Sequence, residues 1–336
     1  MKLLLRRIRT IAILMALLAV AATVVLARLW QNRAELADLG WSVASPAEGA
    51  AGSVTVTWFG ISTLLFDDGQ TQILIDGTFT RVPLPSILSL RRVSSDIATI
   101  NYTLAEYRIN RLAAIVPVHS HFDHAMDVGH VANRGSAVVL GSESTAYVAR
   151  GADVPVDQNQ ILASGESRQF GDFTITLVDS KHAPLGFGDN GWLPGAIEEP
   201  LVQPARVTAW REGVSYSVLI GHPRGTTLVQ GSGGFIKDNL RDYSADVVIL
   251  GIAGLAGLGR DYVDELWRET VTKVGARRLF PVHYDDFTRP FGEIRLFPAV
   301  VDDAVQTSGW INEIASAEET PVEIRLLPFG QPIALY

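Results

Sequence analysis

The segment LAAIVPVHSHFDHAMD, residues 112–127, constrains this chain more than any other. Its short apolar run reads as a buried strand. The run ends in His119, His121, Asp123 and His124, whereas the whole chain holds only seven histidines. His119 and His121 lie two apart where the strand runs out, so both side chains can point to one side. Asp123 and His124 follow at a loop-to-helix junction, where the chain turns back over the strand end. The two pairs can therefore converge on one small volume. Imidazole nitrogen with carboxylate oxygen is a ligand set for zinc, and also for iron or manganese. A coincidental polar loop is the competing reading, and the scarcity of histidine argues against it.

Around this segment the pattern is one of strands and helices. VTVTWFG alternates and reads as a strand, and STLLFDDGQTQILIDG as two more around the turn Asp67-Asp68-Gly69. A long, partly helical connection follows Asp76. HAMDVGHVANRG sets Ala125, Val128, Val131 and Ala132 on one helical face, closed by Gly135. AVVLGS and TAYVARG repeat the strand-to-helix step. FTITLVDS, SYSVLIG, TTLVQGS, DVVILGIAGL and RLFPVHY read as later strands, with a helix over DYVDELWRETVTKVG. Strands meeting strands early, then alternating with helices, argue for sheets covered by helices.

Three histidines lie downstream. His182 and His283 each follow an apolar strand, where an open α/β layer places functional residues. Beside an existing cluster, both are candidate ligands. His222 falls in the hairpin turn His222-Pro223-Arg224-Gly225 and reads as a surface residue. His130, six residues beyond His124, reads as structural.

Composition narrows the partners. With no cysteine there is no disulfide, no thiolate metal ligand and no thiol nucleophile. A net charge of -8 argues against nucleic acid, which needs clustered Lys and Arg. GSGG without a following lysine is no P-loop, and a G-x-S-x-G elbow is absent. The N-terminus is a separate object. Lys2, Arg6, Arg7 and Arg9 precede an apolar run from Ile11 to Ala27. The basic flank places the N-terminus in the cytoplasm and the remainder outside, in a periplasmic or extracytoplasmic space. A membrane anchor over residues 1–30 is the expectation, with a cleaved signal peptide as the alternative. Residues 31–52, rich in Ala, Gly and Ser, read as a linker, and 53–336 as the body.

HSHFDH resembles the HxHxDH signature of the metallo-β-lactamase superfamily. Asp76 after ILI, His182 after a strand, the glycine-rich VQGSGGF and His283 in PVHY follow in the matching order. WFGISTLLFDDGQTQILIDG is similar to the start of the branch with ascorbate-lactone hydrolases and N-acyl-phosphatidylethanolamine phospholipases. The resemblance covers about Val54 to Phe291. It implies an α/β (α+β) fold, a four-layer αβ/βα sandwich, here preceded by one transmembrane helix. It also implies that His119, His121 and His182 hold a first metal, and Asp123, His124 and His283 a second. Asp76 would orient a ligand histidine; a turn-capping aspartate is the plainer reading.

Two departures stand out. Ser232 occupies the place of the family's bridging aspartate, and a hydroxyl is a weaker ligand than a carboxylate. Ile61 stands where the related branch often has histidine. Asp285 or Asp286 could supply a replacement carboxylate. The expected chemistry is a metal-bound hydroxide attacking an ester, lactone or phosphodiester, with Asp123 orienting it or accepting its proton. One or two Zn2+ ions are the expected cofactor. Substrate would be a small molecule or a lipid. The loop after His182, with Phe187 and Trp192, is a candidate pocket wall, and LPSILSLRR a candidate membrane contact. A tethered metal-binding sensor with little turnover is the alternative function.

Overall fold

The computed structural model describes residues 2–46, 52–186 and 191–336. Two seven-stranded mixed sheets pack face to face. The first runs, edge to edge, through Ile333–Ala334, Thr55–Trp58, Leu64–Asp67, Gln72–Ile75, Leu112–Val116, Val138–Gly141 and Asn159–Ile161. The second runs through Glu323–Ile324, Arg278–Val282, Val247–Gly251, Gly225–Gln230, Ser215–His222, Phe173–Ser180 and Ser167–Phe170. Helices cover the outer faces, completing the four-layer sandwich.

Burial on both faces explains the near-continuous apolar strands. Val56, Phe66, Ile73 and Ile75 of the first sheet meet Phe173, Leu177, Val218 and Leu228 of the second. Leu74, Ile115 and Val139 point outward onto Ile100, Val128, Val131 and Val148 of the covering helices. Each such side chain contributes about 1.5–3 kcal/mol by leaving water. The second sheet is closed outside by the helices Arg260–Trp267 and Ala304–Ala317, through Val263, Leu266, Trp267 and Ile311.

Strand direction decides where chemistry collects. Gln72–Ile75, Leu112–Val116 and Val138–Gly141 run parallel, so Asp76 and the His119 loop leave the sheet side by side. In the second sheet, Gly225–Gln230, Val247–Gly251 and Arg278–Val282 also run parallel. Phe173–Ser180 runs antiparallel to its neighbour, with Ser180 opposite Ser215. His182, Ser232 and His283 thus emerge at one edge.

Several details differ from the sequence reading. The linker assigned to 31–52 is docked over much of its length. Leu39, Trp41 and Ala44 are buried, Trp41 Nε1 donates to Asn312 Oδ1 at 2.7 Å, and Ala44 N–H donates to Leu326 O at 2.8 Å. Its apolar residues find a surface more than 250 residues away in the chain, which composition alone does not reveal. Residues 47–51 of that segment lie outside the described residues. The helix Val128–Gly135 is capped by Ser136 at φ 51°, not by Gly135. A Cβ at Gly135 would make only an ordinary 3.6 Å contact with that of Leu112. His222 is not a surface side chain. Its ring is 6% exposed and stacks near Phe173, with centroids 5.2 Å apart.

Candidate metal centre

All five expected histidines meet at the edge where the strands end. His119 and His121 hang from the loop after Leu112–Val116, and Asp123 and His124 from the short helix Phe122–Ala125. Rings of His119 and His182 lie 4.9 Å apart, as do those of His121 and His182. His119 and His124 are closer still, at 4.1 Å. Ligand atoms of His119, His121 and His182 fall within 4.8 Å of one another, and so do those of Asp123, His124 and His283. Both expected ligand sets are therefore assembled, side by side.

Hydrogen bonds select which nitrogen faces inward. His124 Nδ1–H donates to Asp76 Oδ2 at 2.8 Å, leaving Nε2 3.5 Å from Asp123 Oδ2. His182 Nδ1–H donates to Ala183 O at 2.7 Å, freeing Nε2. His121 Nε2 lies 3.3 Å from Leu193 O, so its Nδ1 is the free nitrogen. That Nδ1 is 2.9 Å from His119 Nε2. Two nitrogens held ~2.0–2.1 Å from one tetrahedral ion would stand ~3.3 Å apart, so this contact is close to ligand spacing. Asp123 Oδ1, His119 Nδ1 and His283 Nδ1 are buried without partners. An unpartnered buried carboxylate oxygen is costly unless a cation meets it. The donor set fits divalent metal ions of the zinc, iron and manganese kind.

Electrostatics prepares the ligands. Burial, reinforced by the neighbouring imidazoles, pushes His121 down to about 3 and His119 well below the ordinary histidine range. Burial also lowers His182. Their lone pairs are thus available at neutral pH. Burial alone would raise Asp123, but His124 and His283 outweigh it and hold the carboxyl below its usual range. Burial works against a charged His124 too, and there Asp76 and Asp123 win and raise it.

Asp76 lies outside both converging sets and contacts one of their members, His124. It accepts from His124, from Ser62 Oγ at 2.6 Å and from Val118 N–H at 2.9 Å, tying three segments together. Its backbone sits at φ 59°, a left-handed conformation that non-glycine residues adopt at a cost. Asp76→Asn should weaken metal binding at the Asp123, His124, His283 set by about 10–100-fold. Calorimetric metal titration measures this; equal affinity in the variant would remove Asp76 from that role.

Ser232 lies beside the His182 loop, accepting from Ala183 N–H at 3.3 Å and donating Oγ–H to Lys181 O at 3.2 Å. Gly234 makes the approach possible, because a Cβ there would come within 2.0 Å of Lys181 O. Of the two candidate replacement carboxylates, Asp286 is engaged through both oxygens and Asp285 through one. Asp285 Oδ1 accepts from Ile61 N–H at 2.8 Å, and Asp286 accepts from Thr288 and from Arg33. Ile61 is itself buried at φ 53°, with its carbonyl accepting from His283 N–H at 3.0 Å. His130 is half-buried on its helix, away from the cluster.

Trp192 stands over the site, its ring 5.5 Å from His121, and Phe287 lies 5.8 Å from His283. Phe187 lies outside the described residues. Sequence reading missed Glu212, which accepts from His182 N–H at 3.2 Å and Ser215 Oγ–H at 2.8 Å. It also missed Ser62 and the Leu193 carbonyl. None carries a local signal: each is an ordinary loop residue until the fold brings it to a histidine.

Two facing sheets clad in helices, with histidines and aspartates at one strand edge, define a metal-binding αβ/βα sandwich. Residues 56–283 match the metallo-beta-lactamase superfamily, and the chain belongs to it. A metal-dependent hydrolase from Xanthobacter autotrophicus, of the UPF0173 kind, is 28% identical over 166 residues. The match covers 47% of this chain and 60% of that relative's length. Solved structures share the fold at low identity. A diiron beta-hydroxylase, CmlA from Streptomyces venezuelae, is 10% identical, with TM-score 0.50, covering 86% of this chain and 55% of that one. An isothiocyanate hydrolase from Delia radicum gut bacteria is 14% identical, with TM-score 0.49, covering 84% and 99%.

Proposed function

We propose that this chain is a membrane-anchored, metal-dependent hydrolase acting on an ester, lactone or phosphodiester bond, with zinc in the three-histidine site. The observation that carries the reading is the convergence of His119, His121 and His182 beside an anionic, partly bare Asp123. A bound metal ion would activate water and polarise the substrate oxygen that gains charge. The protein supplies the rest. Asp123, kept ionised by His124 and His283, has one free oxygen to orient water and take its proton. Trp192 and Phe287 offer apolar walls for the group next to the scissile bond.

Anchoring draws support from the helix Lys2–Gln31, whose described side chains are exposed and whose apolar part has a mean hydropathy of 2.7. Two residues past its end, Arg33 pairs with Asp286 at 2.6 Å and donates to Leu296 O at 2.8 Å. Asp286 lies three residues beyond His283, so the anchor would hold the catalytic edge near the bilayer surface. Leu88 and Leu90 of the segment expected to touch a membrane are 74% and 48% exposed. A lipid or other amphiphile is the substrate class this arrangement suits.

Turnover of zinc-loaded full-length protein in mixed micelles tests the reading, using ester, lactone and phosphodiester amphiphiles with their water-soluble counterparts. Hydrolysis of one class is expected. Metal bound without turnover on any of them would favour a tethered metal-binding sensor, for which Ser232 speaks. For topology, a reporter fused after Tyr336 should be active only if it works in an exported compartment. Activity of a cytoplasmic reporter there would reverse the orientation.

A further inference from the structure

A second constellation lies at the opposite end of the sandwich. Asp68 sits in the turn between the strands Leu64–Asp67 and Gln72–Ile75 of the first sheet. Asp172 sits in the turn between Ser167–Phe170 and Phe173–Ser180, and His222 ends Ser215–His222, both in the second sheet. One ligand atom from each falls within 4.8 Å of the others. The His222 side chain is only 6% exposed, yet its Nε2 is buried with no hydrogen-bond partner. The nearest carboxylate oxygen, Asp68 Oδ2, is 3.7 Å away, beyond hydrogen-bond reach.

We propose that Asp68, Asp172 and His222 form a structural site for a borderline divalent cation of the zinc class, stapling the two sheets together away from the catalytic edge. The geometry prepares it. Asp68 Oδ1 is occupied by the N–H groups of Gln70 at 2.8 Å and Thr71 at 2.6 Å, which leaves Oδ2 turned toward His222. Phe173 packs against the imidazole and limits its movement. Two carboxylates and an imidazole suit zinc or manganese, and exposed Asp172 leaves room for water ligands. Arg224 N–H donates to His222 Nδ1 at 3.2 Å, a contact that cation binding through Nε2 would give up.

The buried unpartnered nitrogen is the decisive feature, because a chance acidic surface cluster would not aim one inward. Ligands from both sheets also give such an ion a purpose, since any cation bound only by the folded state stabilises it by mass action.

The test uses full-length protein in detergent micelles with Zn2+ at controlled free concentration. His222→Ala should hold one zinc equivalent fewer than wild type by elemental analysis. Asp172→Asn, a change of an exposed side chain with little risk to folding, should weaken the same equivalent by roughly tenfold or more, through loss of one anionic ligand. The zinc-induced rise in melting temperature should shrink in both, while a variant lacking His119, His121 and His182 keeps the part due to this site. Equal zinc content in wild type, Asp172→Asn and His222→Ala, with an unchanged thermal shift, would overturn the proposal.

Discussion

Replacing His119, His121 and His182 together by alanine is expected to cost the protein one tightly bound metal equivalent and nearly all its turnover. The three rings make up the first converging set among the described residues, and burial keeps His119 and His121 neutral and poised for a cation. Without the ion, water loses the acidity a bound cation would give it and becomes a far poorer nucleophile, so kcat/KM should fall by at least about 10³-fold. The far-UV circular dichroism should stay, because the rings lie at a strand edge and the two apolar cores are built from other residues. Metal content by elemental analysis checks the first part, and hydrolysis of the best substrate the second. Full metal retention in the triple variant would sink the ligand assignment.

Ser232→Asp should have the next largest effect, in the opposite direction. The native hydroxyl donates to Lys181 O, and Asp285 and Asp286 are already engaged by protein donors. The second set, Asp123, His124 and His283, therefore brings one carboxylate to a divalent ion. Adding a unit negative charge about 4 Å from the ion is worth roughly 8 kcal/mol at an effective dielectric constant of 20, before the cost of desolvating the carboxylate. Even a fraction of that raises affinity by tenfold or more. Wild type should hold metal strongly in the three-histidine set and weakly in its neighbour. The variant should gain close to one equivalent at matched free metal. Two metals held equally tightly in both proteins would show that Ser232 is not at the bridge.

The side chains that converge at the strand edge were legible in advance for a definite reason. Histidine is rare here, and a metal site demands it at the ends of strands, so His119, His121, Asp123, His124, His182 and His283 declare themselves by type and position. Asp76 was legible only through resemblance, since a lone aspartate in a turn has a plainer explanation. Residues acting through the backbone left no trace: the carbonyls of Leu193 and Ala183 choose the reactive nitrogens of His121 and His182. Glu212 and Ser62 are equally silent. His222 misled because a turn beside Pro223 reads as surface, while the facing sheet brings Asp68 over the ring.

Sequence by itself determined the apolar strands, the long apolar N-terminal helix and the histidines and aspartates that gather at the strand edge, because each is a local matter of periodicity or residue chemistry. Only the tertiary structure decided how remote segments complete one another. Two-residue strands such as Ile333–Ala334 have no periodicity to read and exist because Thr55 and Val56 offer an open edge. Leu39 and Trp41 look like linker until Asn312 and its helix provide a surface. Arg33 reads as part of the linker until Asp286, 253 residues later and three beyond His283, accepts from it. In each case the stabilising partner is distant in the chain, and its contribution appears only once the two sheets have closed.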